Sequence, residues 1–170
     1  TLAQKLDNLK IKFNIHPLAK RISLLDSEIS NGPEKEILKL PLIKYQKEGA
    51  FFLAKKGRAL LGDEMGLGKT VQAIAAIEIL KSENEDLKVL IVVPASLRTQ
   101  WKKEFEKFAG REVDVVRGKP KERKEIWKSE NNVKIANYEI LMKDSEAKSY
   151  CQDCLLVLDE CQRIKNWKTK

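Results

Sequence analysis

The sequence predicts an α/β domain with a central parallel sheet covered by helices on both faces, three layers in all. Three observations predict it. Short apolar runs alternate along the chain with helical stripes, the pattern of strand–helix–strand units. The strongest run, "KVLIVVP" at 88–94, is apolar without alternation, as a strand buried on both faces must be. A glycine loop, "MGLGKT" at 65–70, stands between an apolar run and a helical segment, the setting in which a phosphate-binding loop works.

The elements follow in order. Residues 1–36 read as an N-terminal extension, with a short strand at "IKFNI" and a helical stripe of Leu18, Ile22, Leu25 and Ile29 that "NGP" stops. The main domain is expected over 37–170. "LIKYQKEGAFFLAKKG" places Leu42, Tyr45, Gly49 and Phe52 on one helical face, and "RALLG" reads as a short strand leading into the glycine loop. "TVQAIAAIEILK" is a helix apolar nearly all round. After the strand at 88–94, "SLRTQWKKEFEKF" turns Leu97, Trp101, Phe105 and Phe108 to one side. "EVDVV" and "VKIANY" are weaker strands with the helix "KERKEIWKSE" between them, and "CLLVLDE" is the last strand.

Composition narrows the function classes. With 42% hydrophobic and 34% charged residues in 170, the chain reads as a globular domain with a sizeable core. No apolar run approaches the roughly 18 residues that cross a bilayer, so no membrane partner is expected. The net charge is +8, and residues 98–124 carry ten Lys/Arg against five Asp/Glu. That balance suits a polyanionic partner, although "RGKPKERKE" at 117–125 reads first as a solvated loop and helix start. Cys151, Cys154 and Cys161 lack the fourth ligand a zinc site needs and read as buried or incidental thiols. His16, the single histidine, has no partner in sequence and reads as a loop or surface residue. The chain opens at Thr1 and closes on "NWKTK", and we read it as a piece of a longer protein.

The chemistry gathers at the glycine loop. A phosphate site needs backbone N–H groups converging on an anion at the positive end of a helix, with little side-chain bulk in the way. Met65, Gly66, Leu67 and Gly68 form such a loop, Lys69 can reach the β and γ phosphates, and Thr70 offers a hydroxyl to Mg²⁺. The usual spacing wants glycine at 63 and finds Asp63, a position that shapes the entry turn and supplies no phosphate donor. The second requirement is an acidic residue at the end of a neighbouring strand. "LLVLDE" provides it: Asp159 would hold Mg²⁺ directly or through water, and Glu160 would orient and deprotonate an attacking water. The loop and the acidic pair together lead one to expect a nucleotide with Mg²⁺, and the reaction is phosphoryl transfer to water.

Several stretches taken in order resemble one family, the Swi/Snf-type ATPases of helicase superfamily two, which include chromatin remodellers and double-stranded DNA translocases. "LIKYQKEGAFFL" resembles the opening motif, whose glutamine reads adenine; here that is Gln46. "GDEMGLGKT" resembles the family's phosphate loop, in which Asp at the first position is normal. "VPASLRTQWKKEF" resembles motif Ia, "IANYEIL" motif Ib, and "LDECQRIKN" the Walker B motif. The resemblance covers roughly residues 40–170. It implies the first of two RecA-like lobes, with a second lobe that supplies arginine fingers. It also implies that this lobe alone hydrolyses ATP poorly, because such fingers are worth about 10³–10⁵ in rate. One position departs: the common Asp-Glu-x-His reads "DECQ", and Gln162 would keep the coupling role through its amide.

The same resemblance turns motifs Ia and Ib toward a nucleic-acid backbone. Ser96 is expected at a helix N-terminus, Asn137 and Tyr138 at a strand's end, and Arg163 and Lys165 after the acidic pair. No base-reading chemistry accompanies them, so contacts should be sequence-independent and salt-sensitive. The leading reading is an ATP-driven motor on double-stranded DNA. A strand-separating RNA or DNA helicase and a non-hydrolysing, nucleotide-gated scaffold stay open. The expected location is intracellular, cytoplasmic in a bacterium or archaeon and nuclear in a eukaryote.

Overall fold

The computed structural model describes residues 38–56, 58–62 and 66–161. The extension expected at 1–36 lies outside them. The described residues fall into two compact units, 88–103 with 112–161 and 38–87 with 104–111.

The larger unit is a four-stranded parallel sheet in the order β2-β3-β1-β4. Its centre is β1 (Lys88–Val93), whose residues Val89 to Val93 are all fully buried. Burial of each such side chain contributes about 1.5–3 kcal/mol, so the unbroken apolar run has its place at the middle of the sheet. On one side β1 pairs with β3 (Val133–Asn137), Val93 facing Asn137; on the other it pairs with β4 (Cys154–Leu158), Val92 facing Leu158. The edge strand β2 (Asp114–Val115) has two residues only. The strands being parallel, the residues after β1, β2, β3 and β4 all emerge at one end, the end where open α/β sheets bind ligands.

The smaller unit is built on two helices, α1 (Lys44–Lys56) and α2 (Lys69–Glu83). They approach closely at Gly49, where a β-carbon would run into the Gln72 amide. The buried residues of α1 are therefore Ala50 and Ala54, while Tyr45 and Phe52 are exposed. Of the face expected from periodicity, Leu42 is buried and Gly49 lies at the approach, but Tyr45 and Phe52 do not share it: the small residues, which admit the neighbouring helix, win over the large ones. α2 buries most of its surface, as expected of a helix apolar all round. "RALLG" is not a strand: residues 58–62 are irregular and Leu60 is 71% exposed. A strand exists by its ladder partners, and no described strand pairs with this segment.

The remaining helices connect strands: α3 (Arg98–Ala109), α4 (Pro120–Lys128), α5 (Tyr138–Lys143) and α6 (Ser145–Tyr150). In α3, Trp101 and Phe105 are buried as expected, while Leu97 lies in a 3₁₀ turn (Ala95–Leu97). The short helices α5 and α6 carry no long apolar stripe and were not expected. They are anchored by Asp144 between them, which accepts from both ends of the Arg123 guanidinium at 2.7 and 2.8 Å and from the Trp127 indole at 3.0 Å. No helix among the described residues is long and apolar enough to cross a membrane.

Candidate functional site

The phosphate-loop residues of the smaller unit take the backbone that glycine permits. Gly66 has φ +88° and Gly68 φ +73°, the left-handed region that side chains with a β-carbon avoid. Gly68 is the N-cap of α2, with no side chain capping the helix. The first backbone N–H groups of a helix have no partner within it, and the dipole adds positive potential there. Lys69 and Thr70 open the helix, both half-buried, and no acidic residue lies in its first turn.

Gln46, in the first turn of α1, is brought to this loop. Its Nε2 lies 2.6 Å from the place a β-carbon on Gly68 would occupy. Its Oε1 accepts from Ile43 N at 3.4 Å, which holds the side chain at the start of α1. Gln72, fully buried on α2, donates to the Leu67 carbonyl at 3.2 Å and so fastens the loop from below. Sequence reasoning did not single out Gln72. The signal was there, a Gln inside an otherwise apolar helix. Asp63 and Met65 lie outside the described residues.

In the larger unit, Asp159 and Glu160 follow β4 directly. Asp159 is held at four points. Its N–H donates to the Val92 carbonyl at 2.9 Å, extending the ladder by one residue. Its Oδ2 accepts from the Trp101 indole N–H at 2.8 Å, and its Oδ1 from the Glu160 N–H at 2.9 Å. Its carbonyl accepts from the Tyr138 hydroxyl. Glu160 is exposed, with φ +52°, and among the described residues it is the only left-handed residue other than glycine. Such a conformation costs of order 1–3 kcal/mol and persists where the surroundings impose it. Trp101 was read as a core residue only, yet a buried indole N–H requires a partner.

Of the residues expected at a nucleic-acid backbone, Ser96, Asn137 and Tyr138 lie at the same end of this sheet. Ser96 is exposed within the 3₁₀ turn after β1. It does not occupy the expected capping position, because the turn starts at Pro94, without a side-chain cap. The turn is tied to the end of β2 by Arg98, whose guanidinium donates to the Ala95 and Val116 carbonyls at 3.2 and 3.1 Å. Asn137 ends β3, 8% exposed; its Nδ2 donates to Glu139 Oε2 at 2.5 Å, and its buried Oδ1 has no partner among the described residues. The Tyr138 hydroxyl is committed to Asp159. Gln162, Arg163 and Lys165 lie outside the described residues.

The cysteines form no cluster of three potential metal ligands with His, Asp or Glu among the described residues. Cys151 is buried, Cys154 and Cys161 are half-buried, and all three are free thiols. Cys151 and Cys154 hydrogen-bond to each other; this bond, with burial behind it, pushes the Cys154 thiol far above its ordinary value.

The SNF2-related domain family matches residues 45–170. The chain belongs to that family. Among similar proteins, the helicase SWR1 of Kluyveromyces lactis is 36% identical over 152 residues, 83% of this chain and 10% of that protein. An uncharacterized ATP-dependent helicase of Mycoplasma genitalium is 39% identical over 132 residues, 74% of this chain and 13% of the relative. The Sulfolobus solfataricus SWI2/SNF2 ATPase core in complex with double-stranded DNA superimposes with a TM-score of 0.67 at 32% identity, over 81% of this chain and 30% of that one. The parallel sheet is thus the α/β fold of SNF2 ATPase cores. The SNF2-related chain spans about a tenth of the length of the curated relatives it matches.

Proposed function

We propose that this SNF2-related chain is the ATP-binding lobe of a DNA-dependent ATPase that moves along double-stranded DNA or remodels protein–DNA complexes. The observation that carries the reading is the phosphate loop: two left-handed glycines at an uncapped helix start, with Gln46 against the second. These residues fit a nucleoside triphosphate. Donors without side-chain bulk face where phosphate would sit, and Gln46 offers an amide to a base.

Met65, Gly66, Leu67 and Gly68 would cradle phosphate oxygens through backbone N–H groups, Lys69 would neutralise the outer phosphates, and Thr70 and Asp159 would each offer an oxygen to Mg²⁺. When bound, Mg²⁺-ATP supplies the phosphoryl group and a cation that offsets its charge. Glu160 orients a water and takes its proton, and Gln162 couples this region to the second lobe of the same protein. Ser96, Asn137, Tyr138, Arg163 and Lys165 meet the duplex backbone. Support comes from the S. solfataricus core, which was solved with double-stranded DNA. An intracellular location is the reading its yeast and Mycoplasma relatives favour.

The test is ATP turnover by the two-lobed protein with duplex DNA, single-stranded DNA and RNA in parallel, and Glu160→Gln as the blank. Duplex DNA is expected to stimulate most, and the stimulation to fade with salt. Stimulation by RNA or single strands alone would replace the translocase with a strand-separating helicase. ATP binding without turnover on any polymer would leave a scaffold.

A further inference from the structure

We propose that Trp101 is the positioning residue of the metal-holding carboxylate, an indole that fixes how Asp159 presents itself to the nucleotide's Mg²⁺. The inference rests on the reading that Asp159 holds that ion. Trp101 lies in the first turn of α3 and is 3% exposed. Its ring is packed, so its N–H has one direction to point, and Asp159 Oδ2 stands in that direction at 2.8 Å. The other oxygen accepts from the Glu160 N–H at 2.9 Å. Each carboxylate oxygen has two lone pairs, and among the described residues each accepts one hydrogen bond from the protein. A carboxylate held this way cannot rotate about its χ2 without breaking two hydrogen bonds at once.

The backbone beneath it is held as well. Asp159 N–H joins the ladder to Val92, and the Tyr138 hydroxyl donates to the Asp159 carbonyl. That carbonyl belongs to the peptide that leads into Glu160, whose left-handed φ of +52° needs such restraint. The two side-chain donors come from separate elements, the start of α3 and the residue after β3. Neither is a member of the acidic motif itself. Hydrogen bonds to the outer side of ligating carboxylates orient them, and their loss costs about 10–100-fold in metal affinity.

The experiment is binding of a fluorescent, non-hydrolysable ATP analogue to the full-length protein, titrated with Mg²⁺. Trp101→Phe keeps the ring's bulk and removes only the donor. It is expected to raise the Mg²⁺ concentration for half-maximal binding by about 10–100-fold, with metal-free analogue binding unchanged. A folded Trp101→Phe protein with the wild-type Mg²⁺ dependence would overturn the inference. Asp159→Asn runs beside it. If that variant alone shifts the Mg²⁺ curve, the positioning role fails and the reading of Asp159 stands; if it does not shift the curve, the reading of Asp159 fails first. Should Trp101→Phe not fold, wild-type protein carrying 5-fluorotryptophan replaces it. The Trp101 fluorine signal is expected to move when Mg²⁺ is added to the analogue complex, and to stay still in Asp159→Asn. A signal unmoved by Mg²⁺ in both proteins would overturn the inference.

Discussion

The glycine loop at 66–68 takes its shape from what its residues lack, whereas Asp159 takes its place from what it is bonded to. Gly66 and Gly68 reach φ +88° and +73° because no β-carbon opposes it, and Gln46 comes against Gly68 for the same reason. Asp159 carries hydrogen bonds from Trp101, Tyr138 and Glu160 and one to Val92, and Glu160 reaches φ +52° in spite of its side chain. One region is permitted and the other is imposed. A permitted loop is spoiled by adding atoms; an imposed one is spoiled by removing partners.

The largest effect expected is on the imposed side. Glu160→Gln keeps the size of the side chain and removes its basicity, so turnover should fall by about 10²–10⁴ while ATP binding remains. Single-turnover kinetics with a separate binding titration check both halves of that statement. Equal losses in binding and turnover would mean that Glu160 serves the shape of the site rather than its proton transfer.

Next comes the permitted side. Gly68→Ala adds a β-carbon 2.6 Å from Gln46 Nε2 at a positive φ. The strain of about 1–3 kcal/mol corresponds to roughly 5–150-fold weaker nucleotide binding at 1.4 kcal/mol per tenfold. The accompanying Gln46→Ala change removes the clash but not the backbone strain. Recovery of affinity in the double variant would show that crowding dominates, and its absence that φ does.

The smallest effect separates both regions from ordinary scaffolding. The Arg123 guanidinium, with the Trp127 indole, holds the Asp144 carboxyl below its ordinary value. A carboxyl depressed in the folded state adds stability that is whole above its unfolded value of about 3.9. That stability is lost as pH falls through the lower, folded value. Arg123→Ala should therefore cost about 1–3 kcal/mol near neutral pH, and the gap to wild type should close in acid as Asp144 is protonated in both. Thermal melts across that range measure it, and a nucleotide titration at neutral pH should be unaffected.

Much of the site was legible because its chemistry is local. Gly66-Leu67-Gly68-Lys69-Thr70 is contiguous, and a contiguous loop needs only its own residues to be recognised. The acidic pair was legible because four apolar residues run straight into Asp159 and Glu160. Trp101 as a partner of Asp159 was not legible, since 58 positions separate them and an indole on an apolar stripe reads as core. β3 reads from the sequence as a weaker strand, and it carries Lys134 at its second position. The structure buries this lysine completely, with its ammonium donating to Ser129 Oγ at 2.6 Å and to the Asn131 carbonyl at 2.8 Å.

By itself the sequence determined the strand–helix alternation, the central place of β1, the phosphate loop and the acidic strand end. Each follows from periodicity or from a short motif, and both are properties of neighbours along the chain. Tertiary structure alone decided that Ala50 and Ala54, not Tyr45 and Phe52, form the buried face of α1. It alone decided that 58–62 is no strand, and that Trp101 and Tyr138 grip Asp159. The reason is common to all three. Which face is buried, whether a strand pairs and where a polar tip finds its partner depend on residues brought close by folding, and sequence spacing carries no measure of that distance.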